Sequence, residues 1–561
     1  MRIYRNKKRA FLPTLIGTGD DRGGSTIPWF ASAPRLASYC LDGGLAMYRL
    51  LLGLLMLAMP AAAEAEWMEA QSAHFIVYAD DKPKDIERFA GQLELFHAAL
   101  TELIGREAFV PSPSNRVTVY VVKNTKEVRR LFGEGNDYIG GFYIPRAGGS
   151  LAIVPQIRVS NRNLDFSMIT LLHEYTHHFM ASVSPFQLPR WYNEGTAEFF
   201  ASAEFTSDGG ISLGRPANHR GAELAFAEDV TAAQLLDPDA YEADRGRGYD
   251  AFYGKSWALF HYLTFEEERR GQLRTYMAEI LQGKRSVDAA KAAFGDLGRL
   301  ERDLDAYLRR RRMNGFVFAP GKLETAPVTL RALRAGEAEI MPVRIRSKRG
   351  VTRETAGEIL VDAREIAARY KDDPAVLAEL AEAEFDAGNS EAAIAAADAA
   401  LALDPTCVNA YVQKGYALFR MAEEHHGGLE EFSNAVKPFL ALNKLENDHP
   451  LPLIFFNRSY VESGRELTDT ARQALERAAE LSPFDLSLRF NLGLQQVHGH
   501  DYAKARMNLA PVAYNPHGGR TADVARTVLD RIESEKPLED GELDILLATP
   551  SAPALDTGTD E

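Results

Sequence analysis

The chain has 561 residues, more than the roughly 250–300 at which a single hydrophobic core stops growing, so two or three domains are expected. Its composition, 46% hydrophobic and 25% charged, excludes a generally disordered protein. The formal net charge of -15 argues against a nucleic-acid partner, because phosphate binding requires a concentrated basic surface.

A secretory signal is predicted within the N-terminal region. Met47 and Arg49 precede the apolar run Leu50–Met59, and small residues of the A-x-A type follow it. The run is roughly half of the twenty residues needed to cross a bilayer. We therefore predict a signal peptide over 47–65 and an exported, periplasmic protein without a permanent membrane span, with 1–46 as a non-native extension. The alternative is a disordered extension before a membrane anchor.

An α+β domain over residues 66–320 is predicted to open the mature protein. Its apolar residues alternate where strands are expected and recur at helical spacing between them. The predicted elements are strands at His74–Ala79 and Arg116–Val122, a helix at Lys84–Ile104, and paired strands at Gly140–Tyr143 and Ser150–Val154. A strand directly before the next helix commonly lines a substrate cleft.

A metal-binding motif, H-E-x-x-H, lies in the predicted helix Phe166–Ala181. Residues four apart share a helical face, so His173 and His177 can bind one zinc ion. Glu174 lies beside them, where its carboxylate can take a proton from an activated water and return it to a leaving amine. His178 points about a hundred degrees away from His177 and is predicted to be a surface or packing residue rather than a ligand.

A catalytic zinc needs a third protein ligand, and a second predicted helix, Pro189–Ala203, supplies one. Glu194 follows His177 by seventeen residues, and Glu198 lies one turn later on the same face. We predict Glu194 as the ligand and Glu198 as a hydrogen-bond partner of a liganding histidine. The alternative, a solvated acidic face, fits poorly with the large apolar side chains around the pair.

Three segments resemble the gluzincins, the clan that includes aminopeptidase N and the smaller bacterial peptidase-MA-like proteins. They are His173-Glu174-x-x-His177, Trp191-x-Asn193-Glu194-Gly195-x-Ala197, and the run from Tyr253-Gly254-Lys255-Ser256-Trp257 to Leu263. The resemblance extends over roughly Trp67 to Met313 and implies a zincin-like fold with Zn²⁺ as cofactor. It also implies that Tyr253 donates a hydrogen bond to the oxyanion, as suits a neutral phenol facing developing negative charge. The alternative role for Tyr253 is that of a core aromatic residue.

The sequence departs from aminopeptidase N at one strand. That family recognises the free N-terminus of a substrate with Gly-x-Met-Glu-Asn, whereas the comparable stretch here is Gly140-Gly141-Phe142-Tyr143-Ile144-Pro145. This stretch contains no acidic residue that could bind an amino terminus. Endopeptidase activity is therefore predicted over aminopeptidase activity.

Helical repeats are predicted for residues 351–520, after a basic linker at 321–350. Four dipeptides that end in proline recur along this region: Asp373-Pro374, Asp404-Pro405, Ser482-Pro483 and Asn515-Pro516. Their spacings are 31, 78 and 33 residues, and the middle gap equals two units with an insertion. A period near 34 residues is typical of tetratricopeptide helix pairs, which stack into an all-α solenoid. A plain helical bundle is the alternative. The acidic segment 521–561 is predicted to be a disordered tail.

The combined prediction is an exported zinc-dependent endopeptidase whose tetratricopeptide repeats bind a protein partner or present a peptide or protein substrate. The alternative, from another class, is a scaffold whose zinc domain is catalytically silent and whose repeats assemble other proteins. A third possibility is hydrolysis of a non-peptide bond, because the same groups can act on esters and epoxides.

Overall fold

The computed structural model describes residues 2–3, 6–7, 67–106, 110–133, 139–156, 164–184, 186–244, 249–515, 519–534 and 542. The predicted signal peptide at 47–65 and almost all of the predicted extension at 1–46 lie outside these residues. Both therefore stay predictions. Among the residues that the structure describes, no helix is long and apolar enough to cross a membrane.

A six-stranded mixed sheet is the centre of the first part of the chain. The described strands are β1 (Arg2–Ile3), β2 (Asn6–Lys7), β3 (Met68–Gln71), β4 (Phe75–Ala79), β5 (Val117–Val122), β6 (Phe142–Ile144), β7 (Leu151–Pro155), β8 (Glu204–Phe205), β9 (Ile211–Leu213), β10 (Arg312–Met313), β11 (Phe316–Phe318) and β12 (Thr329–Ala332). The strand order in the six-stranded sheet is β12-β3-β4-β5-β7-β6. Strands β4, β5 and β7 run parallel, whereas β12, β3 and β6 are antiparallel to their neighbours. The predicted strands and the hairpin before the motif helix are confirmed, and β6 forms one edge of the sheet.

Helices cover both faces of this sheet and build the rest of the α+β region. They are α1 (Pro83–Ile104), α2 (Thr125–Phe132), α3 (Phe166–Val183), α4 (Arg190–Ala201), α5 (Gly221–Phe226), α6 (Ala232–Leu236), α7 (Pro238–Asp244), α8 (Phe252–Phe265), α9 (Gln272–Leu281), α10 (Ser286–Phe294) and α11 (Leu297–Leu308). Successive strand residues alternate between faces, so Val77 and Val119 pack in the core with α1, whereas Tyr78 and Tyr120 face the other side. Both faces are buried, as is usual for parallel strands.

The predicted linker at 321–350 was wrong, because this segment contributes to the folded core. Strand β12 pairs along its whole length with β3, and Arg331 of β12 binds the buried carboxylate of Glu69. Helix α12 (Ala335–Lys348) follows, with Met341 packing on the sheet and Ile340 packing on the next helices. The basic residues that suggested an exposed linker are largely paired with carboxylates of neighbouring elements.

The C-terminal part consists of helices in succession: α13 (Arg353–Arg369), α14 (Pro374–Asp386), α15 (Ser390–Leu403), α16 (Val408–Glu424), α17 (Leu429–Ala435), α18 (Lys437–Leu445), α19 (Pro450–Glu462), α20 (Asp469–Leu481), α21 (Leu486–His498), α22 (Tyr502–Ala513) and α23 (Gly519–Glu533). Helices that follow one another along the chain pack against each other, and α14 also contacts α12 and α16. Asp373 caps α14, and the short helix α17 lies within the predicted insertion, around Glu423–Lys437, whereas α18 follows it. The prediction of a tetratricopeptide-like helical region is confirmed at this level.

The predicted disordered tail begins too early in the sequence. Helix α23 extends to Glu533 and buries an apolar stripe against α22, formed by Ala525, Val528, Leu529 and Ile532. These residues recur at helical spacing, which the surrounding charges obscured. Residues 535–541 and 543–561 lie outside the described part of the chain.

Candidate metal centre

Three helices converge on the predicted motif residues. Asp165 caps α3 by accepting a hydrogen bond from the Met168 amide, and α3 packs against α4, β6 and β7. Helix α4 lies against α8 at Gly195, where an added Cβ would lie 2.5 Å from the carbonyl oxygen of Ser256. This close approach requires glycine and brings residues of α8 next to the carboxylates of α4.

The predicted ligands His173, His177 and Glu194 present three donor atoms to a common point. The two Nε2 atoms are 3.0 Å apart, and each lies 3.3 Å from Oε2 of Glu194. Tetrahedral coordination with bonds of about 2.0–2.1 Å separates donor atoms by roughly 3.3–3.4 Å. The set of two imidazoles and one carboxylate therefore fits zinc in both chemistry and spacing. In the described part of the chain, this is the group of three or more His, Cys, Asp and Glu side chains whose potential ligand atoms all lie within 4.8 Å of one another.

The electrostatics of the centre also favour a cation. Glu194 is only 7% exposed, and Glu198 is 1% exposed. Burial opposes ionisation of Glu194, but the two imidazoles outweigh it and hold the pKa of the carboxyl below its usual range. The buried Glu194 carboxylate thus faces two histidines, and a divalent cation between them would compensate its negative charge.

Glu198 makes the predicted contact with a histidine of the donor set, on the Nδ1 side of His173. Its Oε1 lies 3.0 Å from Nδ1 of His173 and 2.7 Å from a guanidinium nitrogen of Arg220, and its Oε2 lies 2.6 Å from Nε2 of His219. Burial opposes ionisation here as well, but Arg220 and His173 bring the pKa of the carboxyl well below its usual range. A carboxylate on Nδ1 fixes the tautomer of His173 that leaves Nε2 free to bind a metal.

The two predicted catalytic residues are Glu174, next to His173 in the motif helix, and Tyr253 of α8. Glu174 is partly exposed, and within the described residues its carboxylate forms no hydrogen bond or ion pair. The ring of Tyr253 lies 6.3 Å from the ring of His173, measured between centroids. The guanidinium of Arg220 is 4.7 Å from the centroid of the Tyr253 ring, so Arg220 contacts both Glu198 and the tyrosine.

His178 forms no part of the donor set. Its Nδ1 lies 2.6 Å from the hydroxyl of Tyr143 on β6, and its ring contacts those of Tyr175 and Phe484. Burial lowers the pKa of His178 to about 3, so the imidazole is neutral. It joins the motif helix to the edge strand.

The supporting residues His219, Arg220 and Glu223 were not predicted. They lie in and after a short 3₁₀ turn, Asn218–Arg220, and Glu223 accepts a hydrogen bond from the Gly254 amide next to Tyr253. The sequence signal was a cluster of charged residues between the predicted helix Pro189–Ala203 and the Tyr253 segment. Their contact with Glu198 depends on the path of the chain, which no local spacing reveals.

Comparisons with known proteins give one family match. The model of a family described as "Protein of unknown function (DUF1570)" matches residues 167–284, a range that contains all the residues of the centre. No curated protein matches the chain.

Several solved structures give partial matches. MamA from Desulfovibrio magneticus RS-1 is 21% identical and has a TM-score of 0.25, covering 31% of this chain and 92% of its own. Another MamA structure is 17% identical with a TM-score of 0.25, and the two coverages are 32% and 96%. Yeast Tom70 is 10% identical with a TM-score of 0.24, and the two coverages are 68% and 75%.

Proposed function

We propose that this chain is a zinc-dependent peptidase of the gluzincin kind, with a zincin-like domain that ends at β12 and α12. One observation carries the proposal: the donor atoms of His173, His177 and Glu194 lie 3.0–3.3 Å from one another, as zinc requires. The buried Glu198 behind His173 supports the same assignment. The sequence-predicted signal peptide supports an exported enzyme.

The residues around the centre supply the groups that hydrolysis of a peptide bond needs. When bound by the three ligands, zinc would supply Lewis acidity that activates water and polarises the scissile carbonyl. Glu174 takes a proton from the attacking water and delivers it to the leaving amine as the carbon–nitrogen bond breaks. Tyr253 donates a hydrogen bond to the carbonyl oxygen as negative charge develops on it.

The substrate class that fits is an internal segment of a polypeptide. Strand β6 forms the sheet edge next to the motif helix, and its residues Phe142, Tyr143 and Ile144 include no carboxylate. An extended peptide can pair with such an edge through its backbone. Without an acidic group there to bind an amino terminus, we propose endopeptidase over aminopeptidase action.

A second candidate is a scaffold whose zinc domain is catalytically silent. The tetratricopeptide-like helical region favours it, because stacked helix pairs commonly bind other proteins. In this case the centre would bind zinc for stability, and a protein partner of the repeats would define the function. The two candidates differ in turnover and not in metal content.

The test measures zinc content and cleavage in parallel. Protein expressed from Met47 is analysed for bound metal and incubated with a broad peptide library, together with panels of esters and epoxides. The matched variant is Glu174→Gln, which keeps the size of the side chain and all three ligands. We expect about one zinc per chain in both proteins and cleavage by the wild type alone.

Each other result has a definite meaning. Zinc binding without cleavage of any peptide by either protein would favour the scaffold. Cleavage of an ester or epoxide alone would reassign the bond that is broken. Failure to bind zinc even after reconstitution would show that the ligand assignment is wrong.

A further inference from the structure

The helical repeats contact the α+β region at the turn that connects β6 and β7. The Ala147 amide donates a hydrogen bond of 2.8 Å to the carboxylate of Asp485. The Ala147 side chain lies in an apolar cluster formed by Leu475, Ala478, Ala479, Leu488 and Leu492 of α20 and α21. Gly148 has a φ of +77°, and an added Cβ would lie 2.8 Å from Leu451 of α19. The turn is thus held between three helices of the repeats.

A second loop of the α+β region extends this contact. The Asn115 side chain donates to the carbonyl of Leu481 at 2.7 Å, and its oxygen accepts from the Ser482 hydroxyl and from the Gly148 amide, both at 3.1 Å. Ser114 donates through its amide and its hydroxyl to the two oxygens of Glu446, at 2.9 and 2.8 Å. The two bonds from Asn115 to the repeats are buried and the two from Ser114 are partly buried, and all four join residues 332 or more positions apart.

The contact reaches the motif helix itself. Phe484, in the connection between α20 and α21, lies 4.2 Å from the ring of His178, measured between centroids. His178 follows the predicted ligand His177 and bonds to Tyr143 of β6 at 2.6 Å. One aromatic side chain of the repeats therefore packs at the junction between the motif helix and the edge strand. A cavity of about 40 Å³ adjoins this junction and is lined on both sides of the interface.

We propose that the repeats bind the β6–β7 hairpin of their own chain and thereby set the position of edge strand β6 relative to motif helix α3. The partner of this surface is an internal β-turn, held by the Asp485 carboxylate and by the apolar cluster around Ala147. Helix α12 makes the attachment rigid, because one of its faces packs on the sheet and another on the repeats. The consequence for catalysis rests on the proposed function, since β6 is the strand proposed to pair with substrate.

The experiment measures hydrogen–deuterium exchange in peptides that cover the hairpin, residues 140–155, in the full chain. The test variants are Asp485→Asn and Phe484→Ala, and Phe484→Leu is the conservative replacement. In Asp485→Asn, the remaining side-chain oxygen still caps α21, but the NH2 group faces the Ala147 amide, so the hydrogen bond from Ala147 is lost. The matched control is Asp501→Asn, the same change at the cap of α22, where Asp501 accepts from the Lys504 amide.

We expect faster exchange of the hairpin in Asp485→Asn and Phe484→Ala, wild-type exchange in Asp501→Asn, and partial recovery in Phe484→Leu. If the wild type cleaves peptides, kcat/KM should fall about tenfold or more in the two test variants at unchanged zinc content, because small displacements of a substrate-positioning strand are costly. The proposal would be overturned if hairpin exchange stayed unchanged in Asp485→Asn and Phe484→Ala, or if it rose equally in Asp501→Asn. It would also be overturned if exchange of the hairpin rose in the two test variants while their kcat/KM stayed at the wild-type value. A wild type that cleaves nothing would refute the proposed function, and the exchange result would still decide the contact.

Discussion

The strongest test of the metal centre is the replacement of Glu198, which contacts a predicted ligand without being one. Glu198→Gln keeps the size of the side chain but removes the negative charge that His173 and Arg220 share. The imidazole becomes a weaker electron-pair donor to the metal, and the guanidinium of Arg220 loses one of its two buried carboxylate partners. We therefore expect zinc affinity to fall while the three ligands stay in place.

The size of the effect follows from the burial and the bond lengths. The Nδ1 to carboxylate distance is 3.0 Å and Glu198 is 1% exposed, so water cannot replace the lost interaction. Loss of a carboxylate behind a liganding histidine costs about 10- to 100-fold in metal affinity, or roughly 1.4–2.7 kcal/mol. We expect about tenfold for Glu198→Gln and nearer a hundredfold for Glu198→Ala, which also removes the hydrogen bond. Competition with a chromophoric chelator at constant pH gives the Kd.

The matched control is Glu223→Gln. Glu223 is also buried and also binds Arg220, at 3.2 Å, but no contact joins it to His173. Its variant should bind zinc within about twofold of the wild type, as expected for a site outside the ligand contacts. An unchanged Kd in Glu198→Gln would refute the role of Glu198. An equal loss in Glu223→Gln would attribute the effect to Arg220 and its surroundings.

Three further predictions concern stability. Arg331→Met should lower the free energy of unfolding at pH 7 by about 2 kcal/mol, because it leaves the buried Glu69 carboxylate without its ion pair. The pKa of Glu69 lies below its usual range, since Arg331 and neighbouring donors outweigh burial. Urea unfolding should therefore show the difference in stability between wild type and variant shrinking as the pH falls through that pKa. Asp386→Asn should stabilise the protein more at pH 8 than at pH 5. Burial and the nearby Glu382 raise the pKa of Asp386 to about 7, so the stability that its protonated form contributes is lost as the pH rises through that value. Equal gains in the free energy of unfolding at the two pH values would contradict this. Gly195→Ala should destabilise the fold by about 1–3 kcal/mol in thermal unfolding, because the added methyl group would clash with α8 even though alanine is the better helix former. A more stable variant would disprove the close packing of α4 on α8.

The sequence predicted which side chains meet at this site, because their spacing follows local rules. The motif helix was expected at Phe166–Ala181 and extends over Phe166–Val183, so the i, i+4 spacing of the histidines alone places both on one face. Glu194 and Glu198 follow the same rule on the next helix, and the structure brings Glu194 to the two histidines and Glu198 behind one of them. The roles of all these residues in catalysis stay predictions.

The parts that the sequence did not reveal depend on contacts between distant segments. Arg220 contacts Glu198 only because the chain turns back after α4. The local pattern of apolar and polar residues does not predict that turn. The stretch at 321–350 appeared to be a basic linker because its partners, such as Glu69, lie far away in the chain. Charge alone could not distinguish an exposed segment from one whose charges are paired in the core.

The pairing of β12 with β3 also shapes how the chain must fold. Thr329 lies opposite Gln71, 258 residues earlier, so the sheet closes only after the whole intervening segment has been synthesised. Such a non-local pairing carries a large loop-closure cost and slows folding. Until β12 arrives, β3 is an unpaired strand edge on a growing polypeptide, the kind of surface on which partly folded chains aggregate. The edge of β3 that faces β12 is therefore open to non-native pairing for as long as β12 is missing.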